Sequence, residues 1–301
     1  KFYEKAQKFA LLKNTENKYY TLDEYKTLIE SNQTDKDKNL IYIYATDHIA
    51  QYNYIEMAQA KGYDVLLMDG QLDIHFIGLL EQKLEKSRFV RVDSDIVENL
   101  VKKEDKSATV LTSEEREMMT TVFKSQIPAI EKADFLVMFE PIGENAQPVI
   151  ITQNEFMRRM KDMSAMQPGM NFYGELPDSF NLIVNTEHPL SKKIIEDTEN
   201  ACKTEIEPIQ GEIKTLQESV EKLRENHKGK KDDEISVTEK EDIKTKESKI
   251  TELKKKEEEL LSNYAKSNNL VRQLVDLALL SNNMLKGEAL SQFVKRSVEL
   301  L

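Results

Sequence analysis

Five of the eleven methionines in this chain of 301 residues lie in one short segment, and they are Met157, Met160, Met163, Met166 and Met170. In a helix, which advances by about 100° per residue, Phe156, Met160 and Met163 share the centre of one face. Arg158 and the charged residues that follow it lie on the opposite face. Methionine is flexible and polarisable, so it fills irregular cores and also lines surfaces that bind many partners. The segment therefore predicts an amphipathic helix that is either core or a binding surface.

The residue types that most often perform catalysis or bind metals form no pattern in this sequence. The single cysteine, Cys202, excludes an internal disulfide and a cysteine-based zinc site. The four histidines are scattered without the spacing of metal ligands, at His48, His75, His188 and His227. The sequence shows no Ser-His-Asp arrangement, no acid and base pair and no glycine-rich phosphate loop. We therefore predict no catalytic residue, no metal site and no cofactor site in this chain.

Composition and charge narrow the class of protein further. Charged residues make up 32% of the chain and apolar residues 39%, which is typical of a soluble, helix-rich protein. A net charge of -11 without a basic stripe argues against a nucleic-acid partner. No apolar run approaches the roughly 20 residues that span a membrane, and there is no signal peptide, so we expect a cytoplasmic protein. Because the chain starts at Lys1 inside helix-like sequence, we expect it to be the C-terminal side of something larger.

The first part of the chain changes from a helical period to alternating strands and helices. Residues 1–38 read as helices, with Phe9 and Leu12 on one apolar face and a capping box at Thr21 and Glu24. Strand patterns follow, separated by helical patterns, in the order strand 39–47, helix 52–62, strand 63–69, helix 72–85 and strand 88–92. This order predicts a small three-stranded parallel sheet with helical crossovers. The polar segment 93–110 predicts a linker or surface loop.

A second unit begins with a helix at Thr112 or Ser113. Two strand patterns, 134–141 and 147–152, precede the methionine segment, which Thr152 can cap and the Pro168–Gly169 pair can end. A turn, a short strand and another turn are expected over 175–190, followed by a further helix.

Residues 203–266 are highly charged and carry two heptad seams around a polar turn at 226–233. They predict an inserted antiparallel coiled-coil hairpin, which we interpret as a solvated arm rather than a dedicated partner site. The apolar positions of the seams are Ile206, Ile209, Ile213, Leu216, Val220 and Leu223 in the first arm, and Ile243, Ile250, Leu253, Leu260 and Tyr264 in the second.

The last segment, 270–301, is densely apolar and predicts two short helices with more apolar surface than one stripe needs. Pairing these helices with a second copy, as a four-helix bundle, would cover both faces. Packing of the hairpin on its own domain is the alternative. The residues predicted for the dimer interface are Leu274, Leu277, Leu280, Phe293, Val298 and Leu301.

Taken in order, these segments resemble the 90-kilodalton heat-shock chaperones, and in particular their bacterial branch. The first strand and the segment with Gly62, the Val65–Leu67 run and Asp73 resemble the small subdomain late in the family's middle domain. Ile74 stands where the family usually has an acidic residue. The segment 112–119 and everything from Thr152 onward resemble the C-terminal dimerisation domain, whose pattern the last helices match at Leu274, Asp276, Ala278, Leu279, Leu280, Phe293 and Arg296. The hairpin at 203–266 departs from the family.

The resemblance implies a function for this chain. It implies a molecular chaperone fragment of the heat-shock stress response, which forms a homodimer and binds unfolded client proteins, with co-chaperones as further partners. The methionine helix stands where the family has an exposed client-contacting helix, so Phe156, Met157, Met160, Met163, Met166 and Met170 become the expected client-binding residues. The resemblance places ATP and magnesium in an N-terminal domain that is not part of this chain, so the fragment itself is not expected to be an enzyme.

The expected architecture is a mixed α+β and α/β fold. It comprises a helical connector over 1–38, a small αβα subdomain over 39–110 and a C-terminal dimerisation domain over 111–301 that carries the inserted hairpin. Two other functions stay open from the sequence. The chain could be a purely structural dimerisation module with a buried methionine helix, or a small-molecule enzyme that uses the parallel sheet, which the missing phosphate loops argue against.

Overall fold

The computed structural model describes residues 9–103, 111–166, 177–228 and 236–299. Its first element is a short antiparallel ribbon of β1 (Leu11–Lys13) and β2 (Tyr19–Thr21). The helix predicted over these residues is therefore wrong. The Asn14 side chain explains the difference, because its Oδ1 accepts the backbone N–H groups of Glu16 and Lys18 at 3.1 and 2.9 Å and closes a turn.

Helix α1 (Leu22–Ile29) begins at the predicted capping box, in which Thr21 and Glu24 satisfy each other's backbone N–H groups. The parallel sheet that follows also has the predicted topology. β3 (Leu40–Ala45) lies between β4 (Val65–Leu67) and β5 (Ser87–Arg91), and all pairs are parallel. The crossover helices are α2 (Tyr52–Ala60) and α3 (Asp73–Lys83).

The segment expected to be a linker is part of the core as far as it is described. Residues 97–100 form a short helix, α4 (Val97–Leu100), and Ile96, Leu100 and Val101 are buried. The polar residues among these apolar ones made the segment look like a surface loop in the sequence. Residues 104–110 of the predicted linker lie outside the described residues.

A second three-stranded sheet follows helix α5 (Ser113–Lys124), which Thr112 and Glu115 cap as a box. Its central strand is β8 (Asp178–Asn185), which is parallel to β6 (Ala133–Glu140) and antiparallel to β7 (Val149–Gln153). The prediction of a short strand between two turns is therefore corrected. β8 is eight residues long, is paired along its whole length and is the central strand of the sheet.

The two sheets share one apolar cluster. Alternate residues of β3 point to opposite sides, so that Ile41 and Ile43 lie in a cluster with residues of α2 and α4, while Tyr42 and Tyr44 lie in another with residues of α1 and α3. Ile150 and Ile183 of the second sheet, with Ile142 in the loop after β6, enter the same cluster as Ile41 and Ile43. The other face of the second sheet packs against α5 and the terminal helices. The small subdomain and the C-terminal unit are thus joined by apolar packing and not only by the chain.

The hairpin consists of α7 (Pro189–His227) and α8 (Val237–Ser267), which pack antiparallel along the predicted seam. In the first arm, Ile206, Ile209, Ile213 and Val220 are buried. The helix predicted from residue 191 and the first heptad arm form one continuous helix that also contains Pro208. Residues 229–235, at the tip, lie outside the described residues.

The terminal helices are α9 (Asn269–Ser281) and α10 (Gly287–Glu299). Asn268 caps α9, because its Oδ1 accepts the N–H groups of Leu270 and Val271 at 3.1 and 3.3 Å. Asp276 and Arg296, two positions of the family pattern, form an ion pair that ties α9 to α10. Their side chains are only 6% and 15% exposed, so the pair is shielded from water.

Removal of one charge from this ion pair is expected to destabilise the chain. Arg296→Met leaves the Asp276 carboxylate buried without its partner, which costs about 3 kcal/mol of unfolding free energy. The double variant Asp276→Leu with Arg296→Met removes both charges and is expected to recover most of that loss. Urea unfolding at one fixed protein concentration measures both, and equal stabilities of the single and double variants would contradict this account.

Candidate functional site

The methionine segment forms helix α6 (Glu155–Met166), which starts directly after β7. The residue that caps α6 is Asn154, whose Oδ1 accepts the N–H group of Met157 at 3.1 Å. Thr152 was predicted to be this cap, and that prediction is wrong: Thr152 is a buried residue of β7 whose hydroxyl accepts the Asn181 side-chain amide at 3.4 Å. Strand pairing therefore continues to Gln153 and moves the start of the helix by two residues.

The exposure of α6 is the reverse of what a core helix shows. Phe156 is 70% exposed, whereas the side chain of Arg158 is only 8% exposed. Met157 and Met160 are half-buried. The helix therefore buries the charged side chain of Arg158 and presents the aromatic side chain of Phe156 to solvent, against the usual preference of both residue types.

Arg158 lies between α6 and the first sheet. Its Nη2 donates to the Tyr44 hydroxyl at 2.8 Å and to Glu155 Oε1 at 3.0 Å, and its Nε donates to Glu155 Oε2 at 3.2 Å. Burial, together with the negative charge of Glu155, raises the pKa of Tyr44 to about 12. Tyr44 therefore stays neutral and serves as a hydrogen-bonding partner at physiological pH.

Arg159 reaches from α6 to α3 and to β5. Its Nη1 donates to Glu81 Oε2 at 2.8 Å, its Nη2 to Glu81 Oε1 at 3.2 Å and to the Phe89 carbonyl at 2.6 Å, and its Nε to Glu155 Oε1 at 2.7 Å. Glu81 Oε1 also accepts the Phe89 N–H at 2.9 Å. The paired carboxylates raise the pKa of Arg159 against the opposing effect of burial. Both guanidinium groups are thus paired, as buried cations must be.

The segment that leads into α6 lies along the same edge strand. The backbone N–H of Gln153 donates to the Asp93 carbonyl at 3.0 Å, and Arg91 Nη2 donates to Gln153 Oε1 at 2.6 Å. Arg91 also pairs with the Asp93 carboxylate. With the contact from Arg159 to Phe89, these bonds cover the outer edge of β5, which would otherwise present unpaired backbone groups.

The remaining predicted site residues fall into three groups. The backbones of Met163 and Met166 lie in α6, and Met170 and Leu301 lie outside the described residues. Leu274 and Phe293 are buried in the core of their own chain. The exposed large apolar residues of the described terminal helices are Leu277, Leu280, Val294 and Val298, and we call this set the terminal stripe.

Over the described ranges, no group of three or more His, Cys, Asp or Glu side chains is arranged to hold a metal ion. No described helix combines the length and the apolar character that crossing a membrane requires. Cys202 is buried, and burial raises the pKa of its thiol.

Comparison with known proteins assigns the chain to a family. It is 54% identical over 300 residues to a protein named chaperone protein HtpG from Bacteroides thetaiotaomicron and to one from Bacteroides fragilis, and 47% identical over 304 residues to HtpG of Porphyromonas gingivalis. These alignments cover the whole of this chain. The chain belongs to the HtpG chaperone family. It spans 44% of the length of these HtpG relatives and corresponds to their C-terminal part. No protein-family model matches it.

Membership of the HtpG family confirms the resemblance inferred from the sequence. The alignments with the relatives also include the hairpin residues, so these HtpG relatives carry a corresponding segment. What sequence reasoning missed is the docking of α6, in which Arg158, Arg159, Tyr44 and Glu81 take part. The available signal was Glu155, which lies three and four residues before two adjacent arginines, the spacing at which side chains on one helix can pair.

The charge cluster around Glu155 predicts a pH dependence. Burial would raise the pKa of Glu155, but hydrogen bonds and attraction from Arg158 and Arg159 outweigh it and hold the pKa below its ordinary value of 4.5. A carboxylate with a lowered folded pKa contributes stability that is complete above its unfolded pKa and is lost as the pH falls through the folded value. We therefore expect Glu155→Gln to lower the unfolding free energy by about 1–3 kcal/mol at neutral pH.

This loss should shrink as the pH falls below 4.5, because the unfolded chain takes up a proton at Glu155 first, and it should disappear once the pH passes the lower pKa of folded Glu155. Urea unfolding of the native and variant chains across that pH measures the difference. Glu144→Gln is the matched control, because Glu144 pairs with Lys192 at 3.1 Å on an exposed surface and should change stability little at any pH. A Glu155→Gln effect that stays constant into the acidic range would contradict the prediction.

Proposed function

We propose that this chain is the part of an HtpG chaperone that binds non-native client segments on α6 and that forms a homodimer through α9 and α10. The observation that carries the client site is the inverted burial of α6, with Arg158 shielded and Phe156 open to solvent. An exposed aromatic beside methionines offers an adaptable apolar surface, which suits a protein that binds many unfolded sequences with few shared features.

The purely structural alternative requires a buried methionine helix. Phe156 is 70% exposed in the protomer, and this exposure favours the client-binding role over that alternative. The small-molecule enzyme has no support among the described residues, since the carboxyl edge of the parallel sheet carries no phosphate-binding loop. Hydrolysis of ATP with magnesium, in the cytoplasm, is proposed for the complete protein and is assigned to a part other than this one.

The terminal stripe supports the dimer. Leu277 and Leu280 are neighbours on one face of α9, and Val294 and Val298 are neighbours on one face of α10. Leu274 and Phe293 lie behind them in the protomer core and hold the two helices together. Because a two-fold interface uses the same patch on both partners, one apolar stripe on two helices suffices to build a four-helix contact.

The client site is tested by shortening its apolar side chains in the full-length chaperone. Phe156→Ser combined with Met157→Ser should raise the chaperone concentration that halves aggregation of a heat-denatured reporter enzyme by about tenfold, because anchors in an apolar contact carry most of its energy. Val237→Ser is the control, since Val237 is 71% exposed at the start of α8, far along the hairpin. If the double variant is folded and suppresses aggregation as well as this control does, the assignment of the client site is wrong.

The dimer is tested by placing charges on the terminal stripe. Leu277→Asp and Val298→Asp would each bury a carboxylate between two apolar faces, so we expect the dissociation constant to rise by about 100-fold or more. Both side chains are exposed in the protomer, so the fold of each chain should survive. Light scattering over a dilution series measures the mass, with Val237→Asp as the control. A full-mass dimer at high dilution in both variants would place the contact elsewhere.

A further inference from the structure

The contact between Arg159 and Glu81 affects how α6 presents its apolar residues to solvent, in addition to stabilising the fold. Arg159 lies on α6 and Glu81 on α3, 78 residues apart in the chain, and their bidentate contact is the direct ionic link between the proposed client helix and the small subdomain among the pairs described. Glu81 is itself fixed by the Phe89 N–H at 2.9 Å. The carboxylate is therefore held ready for the guanidinium by the strand edge that Arg159 also contacts.

The geometry fixes the rotation of α6 about its own axis. Arg159 has three acceptors on two sides: Glu81 and the Phe89 carbonyl on the small subdomain, and Glu155 one turn earlier in α6. A planar guanidinium that satisfies all three can do so in only one orientation of the helix. In that orientation Phe156, three residues earlier, faces solvent.

A helix of this kind needs such a support. α6 has 12 residues, and isolated helices shorter than about 12–15 residues are marginal in water. Phe156 is 70% exposed and Met157 and Met160 are only half-buried, so apolar packing of these three residues supplies less stability than an ordinary amphipathic helix receives. Polar contacts to α3 and β5 take over this role.

We infer that Arg159 and Glu81 are positioning residues for the client surface: they hold α6 on the edge of β5 with Phe156 turned outward. This inference rests on the proposed client-binding function. Neither residue touches the client. They act by presenting an already ordered helix, so that binding does not have to order it first. Without this contact, α6 frays from the β5 edge and binds clients more weakly.

The test separates the positioning of α6 from client binding. Glu81→Gln and Arg159→Gln are made in the full-length chaperone, and hydrogen exchange of the α6 amides and the rate of mild oxidation of Met157 and Met160 are measured without client. We expect the exchange of these amides to become about tenfold faster in either variant, with no further gain in the double variant, because both remove the same contact. Glu144→Gln, which breaks the exposed pair with Lys192, is the matched control and should leave α6 unchanged.

Client affinity is then measured with the same variants by the aggregation assay. A loss of about threefold or more in both, with the dimer mass unchanged, supports the inference. Unchanged exchange in α6, or the same acceleration in Glu144→Gln, overturns it. Faster exchange with native client affinity also overturns it, provided that Phe156→Ser with Met157→Ser reduces affinity. If that apolar variant is itself inert, the proposed client site fails and the positioning role fails with it, while faster exchange would still show that the contact orders α6.

Discussion

The arrangement of this chain depends on one apolar cluster that two three-stranded sheets bury together. Ile41 and Ile43 on the first sheet and Ile150 and Ile183 on the second belong to this cluster together with residues of α2 and α4, and all four isoleucines are almost fully buried. Interiors are close-packed, so this shared cluster restricts movement of the two sheets relative to each other. The chain that leaves β7 runs along β5, where Gln153 contacts Asp93 and Arg91. Helix α6 therefore starts at the edge of the small subdomain.

Ion pairs and hydrogen bonds hold α6 against the small subdomain, in addition to the apolar cluster. A guanidinium withdrawn from water is costly unless carboxylates and carbonyls replace its solvent, and Arg158 and Arg159 find such partners on β3, α3 and β5. These partners all belong to the small subdomain, whereas α6 follows a strand of the second sheet. Tyr54 links the two units elsewhere, because its hydroxyl contacts the Ile151 carbonyl and lies 2.8 Å from Asn282 Oδ1. Polar contacts of this kind give the interface one preferred geometry, which apolar packing alone specifies less sharply.

Much of the fold could be predicted from local pattern. The parallel sheet followed from β-branched runs alternating with helical ones, and the helix start at Thr21 followed from a capping box. Prediction failed where the local structure depended on a side-chain hydrogen bond or on strand pairing that the sequence pattern does not show. Asn14 turned a helical pattern into a strand pair, and the strand pairing of Thr152 passed the cap to Asn154.

The candidate site shows the same limit. The methionine face could be predicted from a period of 3.6, but the sequence could not reveal that Arg158 would be buried while Phe156 is exposed. That outcome requires Glu81 and Tyr44, which lie 78 and 114 residues away from their arginine partners. Periodicity separates two faces of a helix without saying which one meets the protein, unless the partners across the fold are also known.

The hairpin of α7 and α8 has a different relation to the rest of the chain. Its base is anchored, since Ile206, Leu261 and Ala265 belong to the core of the C-terminal unit. Among the described residues, the arms beyond this base lie outside all three apolar clusters and are held by their own seam. A heptad lost from both arms together would leave that seam in register and the base untouched. The length of the arm is therefore free to change by matched deletions or insertions over evolutionary time, at no cost to the domain that carries it.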